Sequence, residues 1–115
     1  MIQSKEQIIE YFKSGIKKTN NFKIGIEHEK FLFSNNKRVN YSKVKEMFHA
    51  LQDFGWKPVL EKENIIGLNK GGKNITLEPG NQIELSGDKL NHMHEACAES
   101  QDYLFELEQV TKKLN

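Results

Sequence analysis

Two segments with strand-like alternation carry acidic side chains among apolar ones. Glu27 and Glu29 share one face of the first segment, because successive side chains of a strand point to opposite faces. Gln82, Glu84 and Ser86 share one face of the second segment. A half-buried carboxylate requires a counter-charge or a metal to offset its desolvation. Two such strands predict an oxygen-rich site suited to a hard cation such as Mg²⁺.

The alternative is a solvated sheet face, which the alternation alone favours. The surrounding sequence instead favours a cation-binding site over a solvated sheet face. Residues 64–69 and 74–78 predict a β-hairpin around Gly71-Gly72, which runs into the acidic strand. Pro79-Gly80 then separates Glu78 from Gln82, and such a pair within a strand predicts a bulge or kink that re-aims side chains.

A resemblance to one enzyme family rests on three segments: GIEHEKF at 25–31, ENIIGL at 63–68 and ITLEPGNQIELSG at 75–87. These resemble the amino-terminal part of the glutamate–cysteine ligases of the plant and α-proteobacterial type. The similarity extends over nearly the whole chain from about residue 21. The chain departs from the family pattern at Asn81, where a glycine is usual, and at Asp88-Lys89, where a small residue and a proline are usual.

The resemblance implies an enzyme that uses ATP and Mg²⁺ to couple the γ-carboxyl of glutamate to the amine of cysteine through a γ-glutamyl phosphate. It implies Glu27, Glu29, Glu78 and Glu84 as Mg²⁺ ligands and Gln82 as a substrate-orienting residue. ATP is a co-substrate, and no catalytic residue is assigned within these 115 residues. The implied architecture is α+β, an antiparallel sheet portion with flanking helices, within a larger fold similar to glutamine synthetase.

Two alternatives stay open beside this interpretation. A related carboxylate–amine ligase with another amine acceptor would share the acidic strands, and a non-catalytic metal- or ligand-binding module would need no further chain. The last helical pattern continues to the final residue without a stop signal. This predicts that residues 1–115 are the amino-terminal part of a single catalytic domain, inactive alone and completed by the remainder of the same polypeptide.

Composition limits the other classes of partner. The net charge of +1, from 17 basic and 16 acidic residues, gives no reason to expect nucleic acid or an anionic membrane. No apolar segment resembles a signal peptide. A single cysteine, Cys97, forms no internal disulfide and fits a reducing cytoplasm. We predict that Cys97 is a small buried hydrophobe rather than a nucleophile.

The predicted order of elements is α-β-α-β-β-α. The first helix spans 3–18 with Ser4 as N-cap, and the first acidic strand spans 22–33. The second helix begins after an N-cap at Ser42 and ends at Gly55. A short strand is expected at 56–60.

The last predicted helix is capped by Asp88. Its expected buried face consists of Leu90, Met93, Cys97, Leu104, Leu107, Thr111 and Leu114. Among the histidines, His28 is expected on the strand face opposite Glu27 and Glu29, so we do not count it as a ligand of the same metal.

Overall fold

The computed structural model describes residues 2–114, which form an α+β structure with antiparallel strands and flanking helices, as predicted. The elements in chain order are α1 (Lys5–Ser14), β1 (Glu27–Phe31), β2 (Phe33–Ser34), β3 (Lys37–Arg38), α2 (Tyr41–Leu51), β4 (Lys57–Glu61), β5 (Asn64–Lys70), β6 (Lys73–Glu78), β7 (Gln82–Ser86) and α3 (Met93–Leu114). None of the helices described between residues 2 and 114 is long and apolar enough to cross a membrane.

The main sheet has five strands in the order β1-β7-β6-β5-β4, all antiparallel to their neighbours. One sheet face packs against α2 and α3 and forms the core. The buried core residues are Val44, Met47, Phe48, Leu51, Trp56, Ile65, Leu68, Ile75, Ile83, Leu85, Tyr103, Leu107 and Val110. The opposite sheet face has no helix over it among the described elements.

The second helix begins at a different N-cap from the predicted one. Asn40, not Ser42, is the N-cap, because the Asn40 side chain accepts a hydrogen bond from the Lys43 amide. The Ser42 hydroxyl instead donates to the Asn40 side chain, at 2.7 Å. Gly55 ends the following 3₁₀ turn at φ 87°, a left-handed conformation that favours glycine, as predicted.

The prediction for the last helix was wrong in its start and in its buried face. Ile24 and Leu90 exchange two backbone hydrogen bonds of 2.8 Å, which hold the chain around Leu90 extended. The helix therefore begins at Met93 rather than after Asp88. Its buried residues are Ala96, Glu99, Tyr103, Glu106, Leu107 and Val110. Of the predicted face, Leu107 alone is buried; Met93, Cys97, Leu104, Thr111 and Leu114 are exposed.

Cys97 is exposed on α3, so the prediction of a buried cysteine was wrong. The observed buried face of α3 is offset by about one residue from the predicted face, so Ala96, rather than its neighbour Cys97, faces the core.

The amino-terminal helix is shorter than predicted. Ser4 caps it as expected, with its hydroxyl accepting from the Gln7 amide, but the helix ends at Ser14, because Gly15 terminates it. The helix buries no residue. The predicted strand from residue 22 is also shorter, since β1 begins at Glu27 and only the isolated bridge of Ile24 precedes it.

Candidate functional site

Strand register brings all five predicted site residues to one face of the sheet. Glu29 lies directly opposite Glu84 on the neighbouring strand, and Gln82 lies opposite Glu78. Glu27 is two residues from Glu29 and shares its face. This face is the one away from the helices, since the alternate residues of β7 are buried in the core. We call these five side chains the acidic face.

A turn, and not a bulge, connects the two inner acidic strands. β6 ends at Glu78 and β7 begins at Gln82 in the opposite direction, so the prediction of a mid-strand interruption was wrong. Gly80 and Asn81 adopt positive φ angles of 74° and 60° in this turn. Asparagine adopts this left-handed conformation more readily than most residues.

Arg38 holds the turn from outside, and sequence reasoning assigned it no role. Its guanidinium donates a hydrogen bond to the Gly80 carbonyl and lies 4.0 Å from the centre of the Phe31 ring. The Asn81 side chain donates to the carbonyl of Val39, next to Arg38. The β2–β3 hairpin is therefore fastened to the end of the acidic face. No local sequence signal links residues 42 positions apart.

Uncharged donors contact three of the four glutamates. The Thr76 hydroxyl donates to Glu78 Oε1 at 2.8 Å. The Ser86 hydroxyl donates to Glu84 Oε1 at 3.1 Å. The Gln82 amide donates to Glu29 Oε2. These contacts orient the carboxylates while leaving their negative charge in place.

Glu84 lies at the centre of the cluster and its pKa reflects that position. The Ser86 hydroxyl, the largest single influence, lowers the pKa of Glu84. Desolvation, a hydrogen bond with Glu29 and the negative charges of Glu27 and Glu78 act in the other direction and together raise that pKa above its ordinary value. A cation bound here would relieve this repulsion.

The donor chemistry of the acidic face fits Mg²⁺ as a partial site. Within residues 2–114, no group of three or more His, Cys, Asp or Glu side chains converges on a single point that could hold a metal ion. Glu29 and Glu84 nevertheless form a directly opposed pair. Mg²⁺ usually takes one or two protein carboxylates and completes its shell with water and substrate phosphates. The assignment of Mg²⁺ to these glutamates remains a prediction.

Two other glutamates, on α3, are buried and contact lysines of the β5–β6 hairpin, and no sequence pattern predicts them. Glu106 accepts hydrogen bonds from Trp56 Nε1 at 2.6 Å and Lys70 Nζ at 2.5 Å. Glu99 accepts from the amide of Asp88 at 3.2 Å and lies 3.9 Å from Lys73 Nζ. These carboxylates brace the strands from the helix side and are separate from the acidic face.

His28 lies on the helix side of β1, as predicted. Its ring lies against Tyr103 at 6.5 Å between ring centres, and its Nε2 is 3.5 Å from the Ser100 hydroxyl. It is therefore a packing residue between β1 and α3, on the sheet face opposite Glu27 and Glu29.

The sequence of this chain is similar to those of known enzymes. The sequence model of the family described as Glutamate-cysteine ligase family 2 (GCS2) matches residues 23–114. Glutamate–cysteine ligase A, chloroplastic, of Oryza sativa subsp. japonica is 37% identical over 114 residues, 96% of this chain. The chloroplastic glutamate–cysteine ligases of Medicago truncatula and Arabidopsis thaliana are each 38% identical over the same share. The chain spans 22% to 23% of the length of these relatives.

Proposed function

Because this chain belongs to glutamate-cysteine ligase family 2, we propose that its acidic face holds Mg²⁺ for an ATP-dependent ligation of the glutamate γ-carboxyl to the cysteine amine. The supporting observation is the register that gathers Glu27, Glu29, Glu78, Gln82 and Glu84 on the open face of the sheet. A face that served only solubility would need neither a central carboxylate under repulsion nor neutral donors aimed at its neighbours.

The reaction explains why such a face is useful. A γ-carboxylate oxygen attacks the terminal phosphorus of ATP, ADP leaves, and the cysteine amine then displaces phosphate from the γ-glutamyl phosphate. The first step brings two anions together, and Mg²⁺ neutralises the phosphate charge when bound. We assign Mg²⁺ binding to Glu27, Glu29, Glu78 and Glu84, of which Glu29 and Glu84 form a directly opposed pair. The rigid sheet keeps them in place as the charges move.

Gln82 is assigned to substrate orientation. Its amide already donates to Glu29, which fixes the side chain against the strand beside it. The remaining donor and the carbonyl oxygen of a primary amide suit the amino and carboxylate groups of an amino-acid substrate.

The test is Mg²⁺ binding by this chain, followed by NMR of its carboxylate carbons. Glu84→Gln keeps the volume and the acceptor for Ser86 but removes one negative charge. We expect the Mg²⁺ dissociation constant to rise at least about tenfold, a loss of about 1.4 kcal/mol. Glu63→Gln, the same change in an exposed turn outside the sheet face, is the matched control and should bind Mg²⁺ as the wild type does. Equal binding by both variants would remove Glu84 from the proposed site.

Ligase turnover is assigned to a longer polypeptide and not to these 115 residues. Lys70 and Lys73 flank the glycine turn, but both face carboxylates of α3. An assay of ADP release with glutamate, cysteine, ATP and Mg²⁺ should therefore give no turnover with this chain alone. Release of ADP that depends on both amino acids would show that the chain holds a complete site.

A further inference from the structure

We propose that Thr76, Ser86 and Gln82 are positioning residues that set the carboxylate orientation of the acidic face before a metal binds. Each donates one hydrogen bond to one glutamate, to Glu78, Glu84 and Glu29 in that order. This inference rests on the proposed function, since orientation matters only if these carboxylates ligate a cation.

The two hydroxyl contacts share one geometry. Thr76 precedes Glu78 by two residues on β6, and Ser86 follows Glu84 by two residues on β7, so donor and acceptor share a strand face in both cases. Thr76 also lies opposite Glu84 in the strand register. Its hydroxyl therefore lies on the same sheet face as both carboxylates and donates to Glu78.

The third contact crosses strands. Gln82 on β7 donates to Glu29 on β1, an edge strand of the sheet. Glu29 therefore lies on a strand that has only one neighbouring strand. A bond to the inner strand holds its carboxylate over the sheet and beside Glu84, its register partner.

Neutral donors serve this purpose better than cations would. A lysine or arginine would orient a carboxylate but would also neutralise the charge that attracts Mg²⁺. The nearby lysines of the β5–β6 hairpin, Lys70 and Lys73, lie on the helix side of the sheet, where they pair with Glu106 and Glu99. Hydroxyl and amide groups remain as the partners of the acidic face, which matches the outer-shell role that such groups play around bound metals.

The experiment removes single hydroxyls. Thr76→Val keeps the β-branched shape and Ser86→Ala removes one oxygen, so neither change opens a large cavity. Thr111→Val and Ser14→Ala are matched controls, because those hydroxyls donate to helix carbonyls away from the sheet. Thr76→Ser retains the hydroxyl and serves as a rescue variant. For each variant, NMR gives the Mg²⁺ dissociation constant, and thermal unfolding without Mg²⁺ gives the stability of the fold.

We expect Thr76→Val and Ser86→Ala to weaken Mg²⁺ binding about tenfold, with metal-free melting temperatures close to those of their controls. Thr76→Ser should bind Mg²⁺ as the wild type does. Binding of Thr76→Val and Ser86→Ala equal to that of the controls would overturn the positioning role, while a loss in Glu84→Gln would still support the proposed function. Absence of any Mg²⁺ effect on the wild-type chain would overturn both.

Discussion

Gly87 is a position where a single added methyl group should destabilise the packing of β7 against α3. Gly87 follows β7, and its amide donates to the Ile26 carbonyl at 2.8 Å. A Cβ atom added at Gly87 would overlap the buried carboxylate of Glu99, and it would lie 2.9 Å from Ile26 Cγ1 and 3.1 Å from the Ile26 carbonyl oxygen. A backbone carbonyl paired across strands cannot move aside cheaply. Glu99 must therefore shift in a Gly87→Ala variant.

The expected loss has two parts. Forcing an extra methyl into a packed site costs about 1 to 3 kcal/mol. Displacing Glu99 also weakens its hydrogen bond from the Asp88 amide, and bonds to charged groups are worth about 1.5 to 3 kcal/mol. We expect a total near 2 to 5 kcal/mol, reduced slightly because alanine restricts the unfolded chain. At about 2.1 cal/mol/K per residue, this lowers the melting temperature of the chain by roughly 8 to 20 °C.

Thermal unfolding followed by circular dichroism measures this shift, and Gly25→Ala is the matched control. A Cβ atom at Gly25 meets nothing within 4 Å, and the residue lies just before β1. We expect Gly25→Ala to leave the melting temperature unchanged or raise it by no more than about 4 °C. A Gly87→Ala variant as stable as Gly25→Ala would refute the steric argument. Combining Gly87→Ala with Glu99→Ala should cost less than the sum of the two single changes, because the carboxylate in the way is gone.

Further expectations for three residues follow from buried or crowded polar groups. The hydroxyl of Tyr103 is buried with no hydrogen-bond partner within residues 2–114, so Tyr103→Phe should raise the melting temperature by up to roughly 4 °C; a fall of that size would show a hidden partner. Burial also raises the pKa of Tyr103, so the wild type should lose stability above about pH 10 by more than the Phe variant does. Because the pKa of Glu84 is raised in the folded state, its contribution to stability is fully present below the unfolded-state pKa and is lost as pH rises through the folded pKa. Metal-free Glu84→Gln should therefore melt at a higher temperature than the wild type at pH 7, and this difference in melting temperature should close toward pH 4. A difference that widens on acidification would contradict the proposed repulsion among the glutamates. Trp56→Phe removes the donor to Glu106 and should lower the free energy of unfolding by about 2 kcal/mol in chemical denaturation, and an unchanged midpoint would mean that this bond contributes nothing.

Strand alternation predicted the acidic face because its period is fixed by local geometry. Once Glu29 and Glu84 lie in strands with buried alternate residues, their face follows. The buried face of α3 was not predictable in the same way. The first residue of α3 depends on the pairing of Ile24 with Leu90, which are 66 positions apart in the chain. Without that pairing, Asp88 is an acceptable N-cap, and the apolar pattern then selects the wrong side of the helix.

The turn at residues 79–81 illustrates a second limit. Proline and glycine together favour a change of direction, but a bulge and a reversal use similar backbone conformations. What decides between them is the pairing of Glu78 with Gln82, which joins β6 to β7. Arg38 then contacts the completed turn, and a contact of this kind depends on the fold already being formed.

The pairing of Glu99 and Glu106 with Lys73 and Lys70 has a mechanical consequence for the β5–β6 hairpin. A lid over a ligand must leave its resting contacts at little cost. Lifting this hairpin would leave two buried carboxylates without their lysine partners, each at a cost of about 3 to 5 kcal/mol. The hairpin is therefore a fixed wall beside the acidic face. Any segment that closes over a substrate there, and any cation that meets its phosphates, must come from outside residues 70–73.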